Sequence, residues 1–174
     1  FLTLPDEITY GNYELTEVVP PNGYVLNTTP VSFSIDGNTS EVVIRLSDKP
    51  EKGKISVLKR GEMFSSVEVS EDRYVPVYSE NGLKSAEFEV TAAEDIYTAD
   101  GTLRISKGAL ADTLVTDESG EAESKELYPG KYLLREISAP EGYILNAEPR
   151  EITVVSGIVS AEIFNERKKQ EFKL

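Results

Sequence analysis

Apolar and polar residues alternate in short runs along most of the chain, and each run stops at a cluster of glycine, proline, asparagine or aspartate. A period of two is the spacing of side chains on one face of a β-strand, and it cannot lay a continuous stripe along a helix. KISVLK (54–59), AEFEVT (86–91), KYLLREI (131–137), REITVV (150–155) and VSAEIF (159–164) read as strands. Asn81-Gly82, Ala99–Gly101, Glu118–Gly120 and Pro129-Gly130 read as turns. KGALADTL is too short to make a helical stripe. Half-apolar strands bury their faces against one another, so the expected architecture is all-β with two packed sheets.

Composition removes most chemistries. With 31 acidic against 18 basic residues the net charge is −13, a surface that repels phosphate backbones, so no nucleic-acid partner is expected. Histidine and cysteine are both absent. Zinc sites of the usual kind, cysteine nucleophiles, histidine-based triads and disulfides therefore have no ligands or bases, and no cofactor is expected. No apolar run approaches the length of a membrane span, so no membrane insertion is expected in this segment. Neither end carries a sorting signal, and the chain reads as an excerpt of a longer one. Its 174 residues suffice for one large or two small domains.

The sequence also repeats itself. Gly11–Asn27 laid on Gly130–Asn146, an offset of 119, gives nine identities in seventeen positions. Past the next hairpin the offset becomes 117, which sets Asp48 against Asn165. The expected organisation is the C-terminal half of one repeat over 1–50, truncated at its N-terminus, a complete repeat over 51–168, and a linker into a further repeat over 169–174. Half a repeat lacks its opening strands: either the chain is cut within a domain, or residues 1–50 are completed by another segment.

In the complete repeat three inward stripes end on polar residues. Ile55 and Val57 are followed on their face by Lys59; Tyr132 and Leu134 by Glu136; Val159, Ala161 and Ile163 by Asn165. The partial repeat shows Glu17 after Tyr13 and Leu15, and Asp48 after Val42, Ile44 and Leu46. One such residue is explained by a strand end turning to solvent; three in one domain point to burial together. An apolar surrounding disfavours the charged forms of both lysine and glutamate, and a neutral amine is a nucleophile. Lys59 against the Asn165 carboxamide, with Glu136 polarising it, holds the parts of an intramolecular amide transfer, for which the fold supplies proximity.

LYPGKYLLREISAPEGYILN resembles the E-box region of Cna B-type (SpaA-like) domains, the stalk modules of Gram-positive pilins and surface adhesins. GKISVLKRGE resembles their first strand with its reactive lysine, GLKSAEFEV their second, and IFNERKK their last strand with its asparagine and linker. The resemblance covers 51–168 and, through YGNYELTEVVPPNGYVLN, also 10–50. It implies a transthyretin-like, reverse-immunoglobulin sandwich of seven strands. It further implies an isopeptide bond between Lys59 and Asn165, with Glu136 as the proton-shuttling catalyst and ammonia leaving. Glu17 and Asp48 would be the counterparts in the partial repeat, where aspartate loses water instead and the matching lysine would precede Phe1. The segment Gly61–Gly82 is longer than compact members of the family carry, and Pro20 stands where the later motif has Ala139.

The resulting expectation is a structural stalk repeat of a cell-wall-anchored bacterial surface protein, extracellular, with adjacent repeats of the same polypeptide as partners. It is not an enzyme beyond one self-modification. The alternative is an adhesin module that reads a host glycan or matrix protein through the 61–82 insertion, although an insertion of this kind more often covers a sheet edge. The acidic turns AAEDIYTADG (92–101) and TDESGE (116–121) lack calcium-loop spacing and read as solvated turns.

Overall fold

The computed structural model describes residues 8–38 and 41–170, and no helix occurs among them. Phe1–Glu51 and Lys52–Leu174 form two compact units. The first contains β1 (Gly11–Leu15), β2 (Tyr24–Val25), β3 (Val31–Ile35) and β4 (Lys49–Pro50). β1 and β3 pair antiparallel with Tyr13 opposite Phe33, and the two rings stack at 5.5 Å. Tyr13, Leu15, Val31, Phe33 and Ile35 share one face of this ribbon and are only half-buried. β2 pairs with β4.

In the second unit the strands are β5 (Gly53–Ser70), β6 (Arg73–Gly82), β7 (Glu87–Ala92), β8 (Ile96–Tyr97), β9 (Leu103–Ile105), β10 (Leu110–Val115), β11 (Glu121–Glu123), β12 (Gly130–Ser138), β13 (Arg150–Val154) and β14 (Gly157–Asn165). One sheet runs β10-β7-β12-β13, the other β11-β5-β14, so seven strands make two layers. Between them lies the core: Phe88, Val90, Tyr132, Leu134, Ile152 and Val154 from the first sheet, and Ile55, Val57 and Ala161 from the second. Burying each large apolar side chain contributes about 1.5–3 kcal/mol. The first and last strands of the unit, β5 and β14, are parallel neighbours from Gly53↔Gly157 to Asn165↔Gly61.

Tyr132 lies at the centre of this core, fully buried, with its hydroxyl donating to the Tyr128 carbonyl at 2.8 Å. Burial pushes its phenol from 10.0 up to about 12. The unfolded chain therefore releases this proton near pH 10 while the folded chain keeps it, so stability falls as pH rises from 10 to about 12. The loss attached to this one group is about 2–3 kcal/mol. Tyr132→Phe is expected to remove that alkaline step in denaturant titrations and to cost about 1 kcal/mol at neutral pH through the lost hydrogen bond.

The insertion departs from the expectations. β5 continues past the sandwich and β6 returns along it, with a register shift between Phe64 and Ser66. Residues beyond Gly61 thus form a projecting two-stranded ribbon and do not lie over a sheet edge. The hairpin turns at Glu71 and Asp72, with φ of 49° and 58°, the left-handed pair that a two-residue connection needs. Asn81-Gly82, expected as a turn, is instead the end of β6. Gly82 answers a packing demand: a Cβ there would sit 1.9 Å from the Ser119 carbonyl oxygen. Past the shift, Val67, Val69, Tyr74 and Pro76 share one face of the ribbon and are all exposed.

Candidate functional site

Alternation carries the three polar residues inward, as their stripes require. Lys59 follows Ile55 and Val57 on β5, Glu136 follows Tyr132 and Leu134 on β12, and Asn165 ends β14; their exposures are 0%, 2% and 2%. Lys59 and Asn165 come from adjacent strands of one sheet and Glu136 from the facing sheet. Lys59 Nζ donates to Asn165 Oδ1 at 2.5 Å and lies 3.1 Å from Glu136 Oε1. Asn165 Nδ2 donates to Glu136 Oε1 and Oε2 at 2.8 and 3.0 Å. The backbone N–H of Asn146 donates to Glu136 Oε2 at 2.9 Å, which fixes the carboxylate from behind.

Burial pushes the Lys59 amine below its ordinary value of 10.5, and the hydrogen bond and charge of Glu136 push back. The two effects leave an ammonium that is easily relieved of a proton, with the acceptor for that proton in contact. Phe88, opposite Glu136 in the β7–β12 ladder, places its ring centroid 5.8 Å from Nζ and lines the dry side of the site.

Two supports were not legible beforehand. The Lys59 N–H donates to the Gly120 carbonyl at 2.7 Å, and the Lys59 carbonyl accepts from Leu83 N–H at 2.9 Å. Both partners belong to connections outside the three motif strands, where periodicity carries no signal. AEFEVT is expected only as a strand, and it is the sheet pairing that sets Phe88 beside the amine.

Glu17 and Asp48 also meet. Asn27 N–H donates to Glu17 Oε2 at 2.8 Å, the bond that Asn146 makes to Glu136. Other bonds correspond at the same offsets: Tyr13 hydroxyl to Thr9 carbonyl at 2.6 Å and Tyr132 to Tyr128 at 2.8 Å, and Tyr24 N to Pro21 O and Tyr143 N to Pro140 O, both at 3.1 Å. Burial raises the Asp48 carboxyl above its ordinary range, and the Glu17 charge and hydrogen bond raise it further. Asp48 Oδ1 is enclosed and has no hydrogen-bond partner among the described residues.

The acidic turns use their carboxylates locally. Asp100 accepts from Thr98 Oγ1 and Thr102 N–H, which draw it down to about 2, and Asp117 accepts from the N–H groups of Ser119 and Glu121. Among the described residues no acidic cluster is arranged to hold a metal ion. Among the described residues no helix is long and apolar enough to cross a membrane.

Comparison with known proteins agrees with this architecture. The SpaA family model, described as a prealbumin-like fold domain, matches residues 2–50 and 76–167. Glu17, Asp48, Glu136 and Asn165 fall within the matched residues, and Lys59 lies outside them. The chain is 27% identical over 146 residues to the trypsin-resistant surface T6 protein of Streptococcus pyogenes serotype M6, covering 81% of this chain and 27% of that protein. Among solved structures it is similar to the Bacillus anthracis TIE protein, with a TM-score of 0.58 and 24% identity over 91% of this chain and 25% of that one. A minor pilin of Streptococcus agalactiae, GBS52, aligns over 97% of this chain and 65% of its own, with 20% identity and a TM-score of 0.45. The chain thus spans about a quarter of the length of the T6 and TIE proteins. With the family model matched over most of its length and a two-sheet sandwich in its second unit, the chain belongs to the SpaA family of prealbumin-like fold domains.

Proposed function

We propose that the protein joins Lys59 to Asn165 by a self-made isopeptide bond, and that it serves as a load-bearing stalk segment of a wall-anchored bacterial surface protein. Residues 1–50 and 51–168 are successive repeats in this reading, 169–174 leads to a further one, and Glu17 and Asp48 are the counterparts of Glu136 and Asn165. The observation that carries it is the lysine, glutamate and asparagine in mutual contact with almost no exposure.

The chemistry balances within the trio. The Lys59 ammonium gives one proton to Glu136, and the freed Nζ lone pair attacks Cγ of Asn165. The second proton of the amine is relayed through the same carboxyl to Nδ2. The Cγ–Nδ2 bond breaks and ammonia leaves, with an amide between Nζ and Cγ and a protonated Glu136 remaining. Close placement of reactants in a water-poor site replaces much of the barrier. Glu136 also lines a cleft that opens between the exposed Glu148, Arg150 and Glu162, a path by which ammonia reaches solvent.

Load explains the placement. Because β5 and β14 are parallel neighbours, a pull on the two ends of the unit shears one strand past the other. A bond from Lys59 to Asn165 carries that load once the part of β5 ahead of Lys59 is extended and bypasses the 106-residue separation between them. In single-molecule stretching from the chain ends, those residues are expected to add no contour length. An extension step of roughly 380 Å, their full length at about 3.6 Å per residue, would contradict the bond.

One observation favours a second reading, an adhesin surface: the ribbon face of Val67, Val69, Tyr74 and Pro76 is apolar and exposed. Replacing residues 63–80 by a short turn is expected to leave the stalk chemistry intact. Unchanged attachment of cells bearing that variant would count against the surface reading.

A further inference from the structure

The ribbon beyond Gly61 is built unlike the rest of the second unit. β14 stops pairing with β5 at Gly61, and from there each strand of the ribbon has only the other as a sheet neighbour among the described residues. Its base is held. The Tyr143 hydroxyl donates to the Glu62 carbonyl at 2.8 Å, and Lys169 Nζ lies 2.6 Å from Glu62 Oε2 and 4.7 Å from the Tyr78 ring centroid. Phe64 meets Tyr78 edge-on at 6.4 Å. Cover ends there: residues 63–76 are all exposed, and the strands join through Glu71 and Asp72, both in the left-handed region. A two-stranded hairpin with no third strand is marginally stable, so this end opens at far smaller free-energy cost than the sandwich. The family model's match stops at residue 50 and resumes at 76, so the outgoing strand and the tip fall outside the matched residues.

Arg73 stands beside that turn, paired with Ser70, exposed, and in no salt bridge among the described residues. A protease of the trypsin class cuts after lysine or arginine and takes the chain extended, free of its own pairings. Exposed tips that open easily are where such cutting concentrates, because its rate follows the open population. The other cationic residues between Lys59 and Asn165 lack this freedom. Leu83 and Ser85, on either side of Lys84, donate to the Lys59 and Thr116 carbonyls at 2.9 and 2.8 Å. The backbone N–H groups of Lys107 and Lys125 are taken by Asp95 and Asp112 at 2.7 and 2.8 Å. Arg60, Arg104, Lys131, Arg135 and Arg150 lie within strands of the unit.

We propose that the Arg73–Tyr74 peptide bond is a processing site, the first bond of the second unit opened by a protease of the trypsin class, and that the cut leaves the chain in one covalent piece. In the step the amide breaks as water adds across it, leaving a carboxylate on Arg73 and an amine on Tyr74. Residues 1–73 then hold Lys59 and residues 74–174 hold Asn165, so the amide between those side chains still joins the two pieces. This second half rests on the Lys59–Asn165 reading. Tension on the chain ends runs through that amide and not through residues 60–164. The ribbon therefore lies off the load path, and its tip can be opened without parting the stalk.

The test is limited digestion of the intact chain with trypsin, read by denaturing mass spectrometry and electrophoresis, beside Arg73→Gln and Lys59→Ala. The first cut of the unmodified chain between Lys59 and Asn165 is expected after Arg73. Its product is heavier than the uncut chain by one water and still migrates as one band. Arg73→Gln is expected to lose that product, and Lys59→Ala, cut at the same bond, to part into 1–73 and 74–174. Cuts outside 60–164 detach their pieces from every chain and are told apart by mass. An unmodified chain cut first after Lys84, Lys107 or Lys125, or not cut within 60–164 at all, overturns the processing site and leaves the cross-link standing. A chain that is cut after Arg73 and parts in denaturant keeps the site and overturns the cross-link. Should Lys59→Ala be digested throughout, the unmodified chain and Arg73→Gln decide both halves, since each keeps Lys59, Glu136 and Asn165.

Discussion

Glu136→Ala is expected to hold the chain at its full calculated mass and to lower the melting temperature of the Lys52–Leu174 unit by roughly 20 °C or more. Two losses combine. Without the carboxylate no described group in the site can take the first proton from Lys59 or deliver one to the leaving nitrogen, since Glu136 is the one acid among the described residues that touches both. The cross-link is then missing, and a closure spanning 106 residues restricts the unfolded chain by roughly 4–5 kcal/mol. The substitution also strands a fully buried amine, which either neutralises or pays several kcal/mol for its charge. For a domain of this size each kcal/mol shifts the midpoint by about 3–5 °C. Scanning calorimetry on Glu136→Ala and Glu136→Gln separates the parts: both lack the bond, while glutamine keeps the volume and a hydrogen-bonding group beside Lys59. A variant that loses ammonia as the wild type does would remove Glu136 from the mechanism.

Gly120→Ala is the second large effect, and it acts from outside the trio. Gly120 has φ of +80°, a region that costs an L-residue about 1–2 kcal/mol. A Cβ there would sit 2.3 Å from the Lys59 carbonyl oxygen and 2.6 Å from the Leu83 nitrogen. They are the donor and acceptor atoms of one backbone hydrogen bond that holds Lys59 in place, so neither can move aside cheaply. The expected cost is about 3 kcal/mol or more, together with slowed or incomplete bond formation because the amine is displaced from the carboxamide. Urea titration gives the first quantity and the time course of intact mass gives the second. A variant as stable as the wild type, with complete ammonia loss, would show that the Gly120 contact does not position Lys59.

Period-two patterning was sufficient to place Lys59, Glu136 and Asn165 inward, because a one-residue slip would have sent Ile55, Val57, Tyr132 and Leu134 to solvent with them. The offset between the two halves carried down to individual hydrogen bonds, as the matched Asn27–Glu17 and Asn146–Glu136 contacts show. Sheet order was another matter. That β14 lies parallel to β5, and that Phe88 stands beside the amine, follow from which strands pair across the sandwich, and alternation within a strand is silent on that. The insertion misled for a local reason. Asn81-Gly82 has the residues of a tight turn, yet glycine is needed there for its missing side chain against Ser119, while Glu71-Asp72 bends without glycine.

The most direct measurement is the mass of the intact, denatured, unmodified chain beside that of Lys59→Ala. A closed Lys59–Asn165 bond predicts that the unmodified chain is lighter than its sequence by one ammonia and that Lys59→Ala matches its sequence in full. An unmodified chain at its full calculated mass would contradict the account and leave the three residues as an unreacted buried ion pair with its amide.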